Sequence, residues 1–575
     1  MVGRTPRILT SLAVTALVAG CADHAGDILQ GGPLCEGPST PLGQVQGSDF
    51  QSPLSGTQVT VQGVVTLARH DGAYIESTSP DTDPQTAEGL FLAAPVAARL
   101  EPGMRVAVNG TVTELGEQKD TQTALAGFDS LSVCAEHEPL PLTPMRLPMP
   151  AAERERLENM RVTIDTATVA TDVYRLDRGE IRVAAGGMLP SPTEVAWPGT
   201  DARRQRARNR DATLFAQLAE GDRSVFPGGT EVVSDLGVLG HDGKGPRLYL
   251  EDRANLAKPL SPTLTPPASD ALRVLSLNLQ NYFNGDGRGG GFPTPRGAET
   301  ARAFEHQRER LRATVSELQP DIIAVMEIEN DGFGQHSAAR DFIADLEKAT
   351  GADWDVASPN GGPVGTDEIT VGLFHRTDRV TATVQTLALN APPFDLLNRQ
   401  PLARAYRPAG GGPAFIIVVN HFKSKGSCPD QGRDRDLGDG QGCWNAARTA
   451  AATSLAGWVL QLAQQQADGR ALIVGDLNAY RLEDPVRELV KAGFEDLTGG
   501  GELGHEYSYV FYGEAGTLDY ALATPELRRS VIQARILHIN ASWPPGMDLP
   551  QPWLRSSDHD PVIVDLRFRQ SSTAY

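Results

Sequence analysis

A layered α/β sandwich over residues 271–570, preceded by two smaller and mainly β domains, is the fold class that the sequence predicts. Three observations carry it. The C-terminal half holds six short strand-like runs, "RVLSLNLQNYF", "DIIAVMEIEN", "AFIIVVNHF", "ALIVGDLNAY", "TLDYALAT" and "DPVIVDLRF". Several are apolar at consecutive positions, as strands covered on both faces are. Between them "ETARAFEHQRERLRATVSEL" sets Phe304, Leu311, Val315 and Leu318 at helical spacing, and "NAARTAAATSLAGWVLQLAQQQ" reads as a second helix. Ahead of this half the pattern changes to short alternating runs separated by glycines, the signature of antiparallel strands.

At 575 residues the chain is too long for one core. Two proline-rich stretches, 138–150 and 258–270, punctuate it as linkers, since proline stops helices and removes ladder donors. They imply domains at 38–137, 151–257 and 271–570. In the first, "TQVTVQGVVTLA", "GAYIES", "GLFLAA" and "MRVAVNGTVTEL" predict a small β-barrel of the OB type. It shows no basic groove laced with aromatics, so a spacer or accessory role is favoured over gripping a single strand. The second has strand-like pieces such as "RVTIDTATVA" and "PRLYLED", and its arginine run "DARRQRARNRD" reads as a solvated loop or a phosphate-contacting one.

The net charge of −20 argues against a protein coated by a general basic surface for nucleic acid. A phosphate-bearing substrate would need metal ions or local arginines. At the N-terminus, Arg4 and Arg7 precede an apolar stretch at 8–18, of signal-peptide length and too short to cross a bilayer. "LVAGC" is similar to a bacterial lipobox, in which Cys21 would be acylated, leaving residues 1–21 as the leader region; a plain secretory signal is the alternative. Either implies export. Four further cysteines then fall in an oxidising compartment, and three pairings are open. Their layout favours Cys35 with Cys134 and Cys428 with Cys443, with a zinc site as the competing reading, although no CxxC spacing supports one.

The strand runs carry polar residues at one end. Three finish in them, at Glu327, at Asn420 and His421, and at Asp476 and Asn478; two begin with them, at Asp519 and at Asp558 and His559. If the last two strands run antiparallel to the first three, all these groups reach one edge of the sheets. Carboxylates gathered in a cleft raise one another's pKa unless a cation sits among them. Hard oxygen donors suit Mg²⁺ or Ca²⁺ better than zinc, which points to phosphate-ester hydrolysis. Taken singly, each of these residues is a turn former or a satisfied hydrogen-bonding group, and Asp560 before Pro561 reads as a strand opener; the fivefold recurrence carries the claim.

In order, "LNLQNYF", "AVMEIEND", "VVNHFKSKG", "LIVGDLNAY", "TLDYAL" and "SSDHDPV" resemble the motifs of the endonuclease/exonuclease/phosphatase superfamily, whose DNase I-like fold implies a four-layer α/β sandwich. More narrowly, "RGAET", "NHFKSKGS" and "DGQGCWNAAR" are similar to a bacterial extracellular endonuclease branch that carries an OB-like domain before the nuclease. The resemblance implies Glu327 as a metal carboxylate beside Asn278, with Asp558 completing the metal side and Mg²⁺ as the ion, Ca²⁺ or Mn²⁺ being alternatives. Asp476 and Asn478 would orient the attacking water, Asp519 would hold His559, and His421 would be a second catalytic histidine, with Asp367 favoured over the adjacent Glu368 as its orienting carboxylate. Arg399 would contact substrate phosphate, with Asn445 and Arg448 as further candidates, a surface helix position being the alternative for Arg448. The implied activity is an exported, metal-dependent endonuclease acting on DNA, with RNA a further substrate. It would be a monomer touching membrane only through a lipid on Cys21. Sphingomyelinases and inositol-phosphate phosphatases share the fold and form the alternative. A binding protein with a decayed site is disfavoured because every motif position is filled.

Overall fold

Alternation in the first segment closes a barrel. In the computed structural model, which describes residues 28–568 apart from 118–119, 233–235, 252–261, 360–361, 396–397 and 500–505, the strand Gln58–Arg69 turns Val59, Val61 and Val65 into a common interior. Residues 1–21, including Cys21, lie outside the described residues. Gln58–Arg69 pairs with Gly72–Glu76 on one side and with Arg105–Glu117 on the other. Asp120–Ala135 then joins Arg105–Glu117 to Gly89–Leu92, the latter in parallel, so that five strands close on themselves. A disulfide from Cys35 to Cys134 spans 99 residues of sequence and ties the segment before the barrel to its last strand. A loop of that size is worth about 4–5 kcal/mol in the chain-entropy account. The second disulfide, Cys428–Cys443, closes a loop in the C-terminal half. Two such bonds mark a chain that matures under oxidising conditions. Among the described residues no helix is long and apolar enough to cross a membrane.

The chain divides into two compact units, Met1–Pro141 and Leu142–Tyr575. Their boundary lies inside the first proline-rich stretch, whereas residues 151–257 and 271–570 share the second unit. Within it, the middle segment forms a curled eight-stranded half-barrel. The arginine run is an α-helix, Thr200–Ala212, and not the expected loop. Alanine and arginine are strong helix formers, and Ala202, Asn209 and Ala212 give the helix a narrow buried side that the surrounding charges mask in the sequence. The middle segment also reaches into the sandwich. Leu189–Pro190 pairs in parallel with Glu514–Gly516, and the buried Glu194 accepts from Thr517 N at 3.0 Å and from Arg481 Nε at 3.0 Å.

The sandwich consists of two mixed sheets. One runs in the order 354–356, 369–376, 322–329, 272–282, 562–566, 531–536, and the other centres on 402–408, 415–421, 471–476 and 519–523. Val274, Ile322 and Leu373 from the first sheet meet Phe415, Ile417, Leu472 and Ala521 from the second. Each of these side chains apart from Ala521 contributes roughly 1.5–3 kcal/mol by leaving water. Helices Ala301–Leu318 and Ala338–Thr350 cover the outer face of the first sheet through Phe304, Leu311, Val315 and Leu318 among others, and Asn445–Gln466 covers the second. Strand 562–566 runs antiparallel to 272–282, and 519–523 antiparallel to 471–476. Each antiparallel strand therefore begins at the edge where its neighbour ends. At the far end of the first sheet Arg273 and Asp565 are register partners joined by two bonds, of 2.7 and 2.8 Å, which fix the strand whose mouth carries Asp558 and His559.

Candidate active site

Sheet register places a row of titratable groups across the second sheet. His421 is the Cα partner of Asp476, and Asp476 is the partner of Asp519. Two carboxylates directly opposite one another are unfavourable in a sheet unless something compensates. Burial, and then the nearby Asp519, push Asp476 up to about 7. His421 approaches Asp476 Oδ2 with Nε2 at 3.5 Å, too far for a good hydrogen bond, and its buried Nδ1 has no partner among the described residues. Burial first, then the positive charges of Arg399 and His559, hold His421 well below the usual histidine range.

The mouth of strand 562–566 is built differently. His559 Nδ1 lies 2.7 Å from Asp519 Oδ2, and the Ser508 hydroxyl donates to the same oxygen at 2.7 Å. Ser508 Oγ in turn accepts from the backbone N–H groups of Leu518 and Asp519. Burial opposes the charge on His559, but Asp519, followed by Asp558 and Asp476, holds its imidazole well above the usual value. The loop carrying it is pinned by Asn540, which donates to the His559 carbonyl at 2.7 Å and accepts from Ser556 N at 2.9 Å. Asp560 accepts from Asn540 N at 2.7 Å and Ala541 N at 3.0 Å and lies 3.1 Å from His538. Of the three polar residues crowded before the strand, Asp560 is scaffold, while Asp558 and His559 face the cluster.

Glu327 reaches the cluster through a bulge. The pairing of 322–329 with 369–376 slips between Met326 and Ile328, and the residue between them adopts φ 63°. A non-glycine residue there costs about 1 kcal/mol, retained where the surroundings enforce it. The neighbouring strand slips between Asn278 and Tyr282, with Gln280 and Asn281 also left-handed. Asn281 N donates to Glu327 Oε2 at 3.1 Å, and Asn278 Oδ1 accepts from Gln280 N at 2.9 Å. Burial, then Asp558, raise Glu327. Asn478, at φ 47°, donates its backbone N–H to Asp476 Oδ1 at 2.7 Å and its amide to the Phe422 carbonyl at 3.1 Å.

Two expected roles meet other partners in the structure. Asp367 does not orient His421; it pairs with Arg399 at 3.1 Å and with Arg296 at 3.4 Å. The aspartate nearest His421 is Asp476. Arg448 is fully buried, and its guanidinium donates to the carbonyls of Lys423, Cys443 and Gln441, so it clamps the disulfide loop instead of facing a phosphate. Asn445 opens the following helix and donates to Asp484 at 2.9 Å. Arg399 remains at the site, close enough to influence both Glu327 and His421. Sequence reasoning missed Ser508, which reads as an ordinary hydroxyl in "EYSYVF", and Tyr509, whose ring lies 4.6 Å from that of His559.

Asp476, Asp519 and His559 each offer one ligand atom, and these atoms lie within 4.8 Å of one another. Asp519 Oδ1 is buried without a partner among the described residues. Glu327, pushed up by burial and by Asp558 beside it, is what a hard divalent cation would relieve, and the orphaned Asp519 oxygen offers a further donor position at the same cluster. The residues fit such an ion.

The sequence of residues 275–559 matches the endonuclease/exonuclease/phosphatase family. No curated protein matches the chain significantly. Among solved structures, the endonuclease/exonuclease/phosphatase from Bacteroides vulgatus is 14% identical, with 52% of this chain and 99% of that one covered at a TM-score of 0.35. The human Nocturnin catalytic domain with bound sulfate is 16% identical, covering 52% and 95%, at 0.35. D. rerio TDP2 complexed with single strand DNA product is 15% identical, covering 52% and 99%, at 0.32.

Proposed function

We propose, from the endonuclease/exonuclease/phosphatase family domain that fills the C-terminal half of the chain, that this phosphoester hydrolase is an exported endonuclease cutting the phosphodiester bonds of DNA, and of RNA where it meets it. The observation that carries the chemistry is the buried row of His421, Asp476 and Asp519 with His559 bonded to its end. Asp476, at about 7, accepts a proton from water near neutral pH. His559 carries its proton on the side of the scissile ester, donates it to the departing oxygen, and is kept charged by Asp519. Asn478 and Arg399 hold the phosphoryl oxygens. His421, kept neutral, adds a hydrogen bond without adding charge.

Because His559 Nδ1 is engaged by Asp519 at 2.7 Å, we assign the Asp476, Asp519 and His559 trio to proton transfer and the cation to Glu327, Asp558 and Asn278. Mg²⁺ suits these oxygen donors, with Ca²⁺ or Mn²⁺ as substitutes. Such an ion, when bound, neutralises the anionic diester that would otherwise repel a nucleophile.

The nucleic-acid assignment rests on the motif loops around Lys423 and Cys443, and export rests on the two disulfides and the lipobox at Cys21. In this reading the protein is a monomer linked to membrane only by that lipid. Hydrolysis of sphingomyelin or inositol phosphates is the alternative for the same residues. Nicking of supercoiled circular DNA tests the choice, because a closed circle has no ends. Nicking that requires Mg²⁺ and stops with chelator supports the reading. An intact circle beside hydrolysed sphingomyelin or inositol phosphate overturns it.

A further inference from the structure

Tyr509 begins a row of aromatic rings that leads away from the cluster. Two residues on, on the same face of the hairpin, the ring of Phe511 lies nearly parallel to that of Tyr509, with centroids 6.4 Å apart. Phe511 meets Tyr512 edge-on at 4.4 Å. Tyr512 and Gly513 form a two-residue turn with φ 51° and 79°, a pair of left-handed positions that hairpins usually fill with Asn-Gly. A tyrosine held there against its backbone preference invites a functional explanation.

The tip is held from the middle half-barrel. Arg182 donates to the Tyr512 carbonyl at 2.9 Å, and its guanidinium lies 4.3 Å from the centre of the Phe215 ring and 5.1 Å from that of Tyr512. Asp172 shares the charge of Arg182 at 3.4 Å. Yet the rings themselves are not core: Phe511 is 54% exposed, Tyr512 64% and Phe215 40%. Beside the hairpin runs the helix Thr200–Ala212, joined to it by Asn209, which donates to Glu514 at 2.7 Å. The helix keeps its arginines at 203, 204, 206, 208 and 210 exposed in a chain whose net charge is −20.

Exposed rings in sequence, flanked by guanidinium groups, hold unpaired polynucleotide by stacking bases on the rings and drawing phosphates to the arginines. A protein partner would not explain why cations gather beside the rings on an otherwise acidic molecule. We propose that the 509–516 hairpin, Phe215 and Arg182 form a binding platform for an unpaired stretch of nucleic acid and feed it to His559. The proposal rests on the nucleic-acid reading above, deepens it to a preference for unpaired strands, and gives the middle segment a role in substrate binding.

The test uses the full mature chain with Phe511→Ala and Tyr512→Ala, assayed on a short single-stranded oligonucleotide, its duplex, and bis(p-nitrophenyl) phosphate. Each variant is expected to raise KM on the single strand by about 5- to 150-fold, the usual effect of losing one base–ring stack, and to raise it less on the duplex. The rate on the small diester stays at the parent value, which also reports correct folding, and Phe511→Trp and Tyr512→Trp restore the parent KM. Parent-like KM on the single strand in both alanine variants overturns the platform and leaves the nuclease reading standing. A parent that hydrolyses the small diester but neither binds nor cuts any polynucleotide overturns both.

Discussion

His559 and His421 stand on two sides of one cluster, both buried, each with an aspartate as its nearest carboxylate. At the strand mouth Asp519 is 2.7 Å from the imidazole and is itself steadied by Ser508, while at the strand end Asp476 is 3.5 Å away and facing another carboxylate. The first histidine is held well above its ordinary pKa and the second well below. Burial opposes charge at both. What separates them is a direct, supported bond to a carboxylate, together with the cations around His421, namely Arg399 and the charged His559. One fold thereby keeps an acid and a neutral donor side by side at the same pH.

The largest expected effect comes from cutting that bond. Asp519→Asn leaves the shape intact but removes the charge that holds His559, and nicking of circular DNA should slow by about 10⁴-fold, the scale seen when a triad aspartate loses its charge. His559→Gln should cost the same, and the double variant little more, because the two act as a unit. Additive losses would show that the pair is not one device.

A third histidine sharpens the comparison through stability. His375 is buried beside Tyr406, faces Asp355 across the strand pair with no bond to its Nδ1 among the described residues, and is pushed down to about 4 by burial. Its folded pKa lies below the unfolded value of about 6.5, so the unfolded chain binds the extra proton. Stability is fully present above pH 6.5 and is lost as pH falls toward 4, by about 3 kcal/mol. Urea midpoints at neutral and acidic pH should therefore fall further in the parent than in His375→Leu. Equal falls would remove burial as the cause.

A smaller effect is expected at His421. Since it carries no charge, His421→Gln, which keeps a donor but misplaces it, should slow nicking by about 10²-fold, the low end for losing one well-placed hydrogen-bond donor. A loss matching that of Asp519→Asn would mean that both histidines carry charge and that the contrast fails.

Much of this arrangement was legible before the structure. Apolar runs ending in Glu327, His421 and Asp476, and opening with Asp519 and His559, predict one polar edge because a sheet strand can deliver a side chain only at its ends or its faces. The antiparallel pairing of the last two strands puts all of them there. The sequence does not show the bulge that swings Glu327 into place, since register shifts leave no compositional mark. Arg448 and Asp367 meet partners that their motifs do not show, because a charged residue in a motif looks the same whether it faces substrate, carbonyls or another charge; only the folded neighbours decide. Ser508 and Tyr509 escaped because their hairpin is short and its partner strand, Leu189–Pro190, lies more than three hundred residues earlier in the chain. The arginine helix hid its register behind charge, having only a narrow apolar side to display.

The central claim is that partner geometry, at equal burial, sets opposite charges on His421 and His559. Imidazole NMR of the full chain in buffer free of divalent cations reads those charges at neutral pH, with His421→Gln and His559→Gln assigning the two signals. The account predicts a cationic signal for His559 that persists well above the ordinary histidine pKa, and a neutral one for His421 that stays neutral well below it. Two signals that titrate together near 6.5, or a cationic His421 beside a neutral His559, would contradict it.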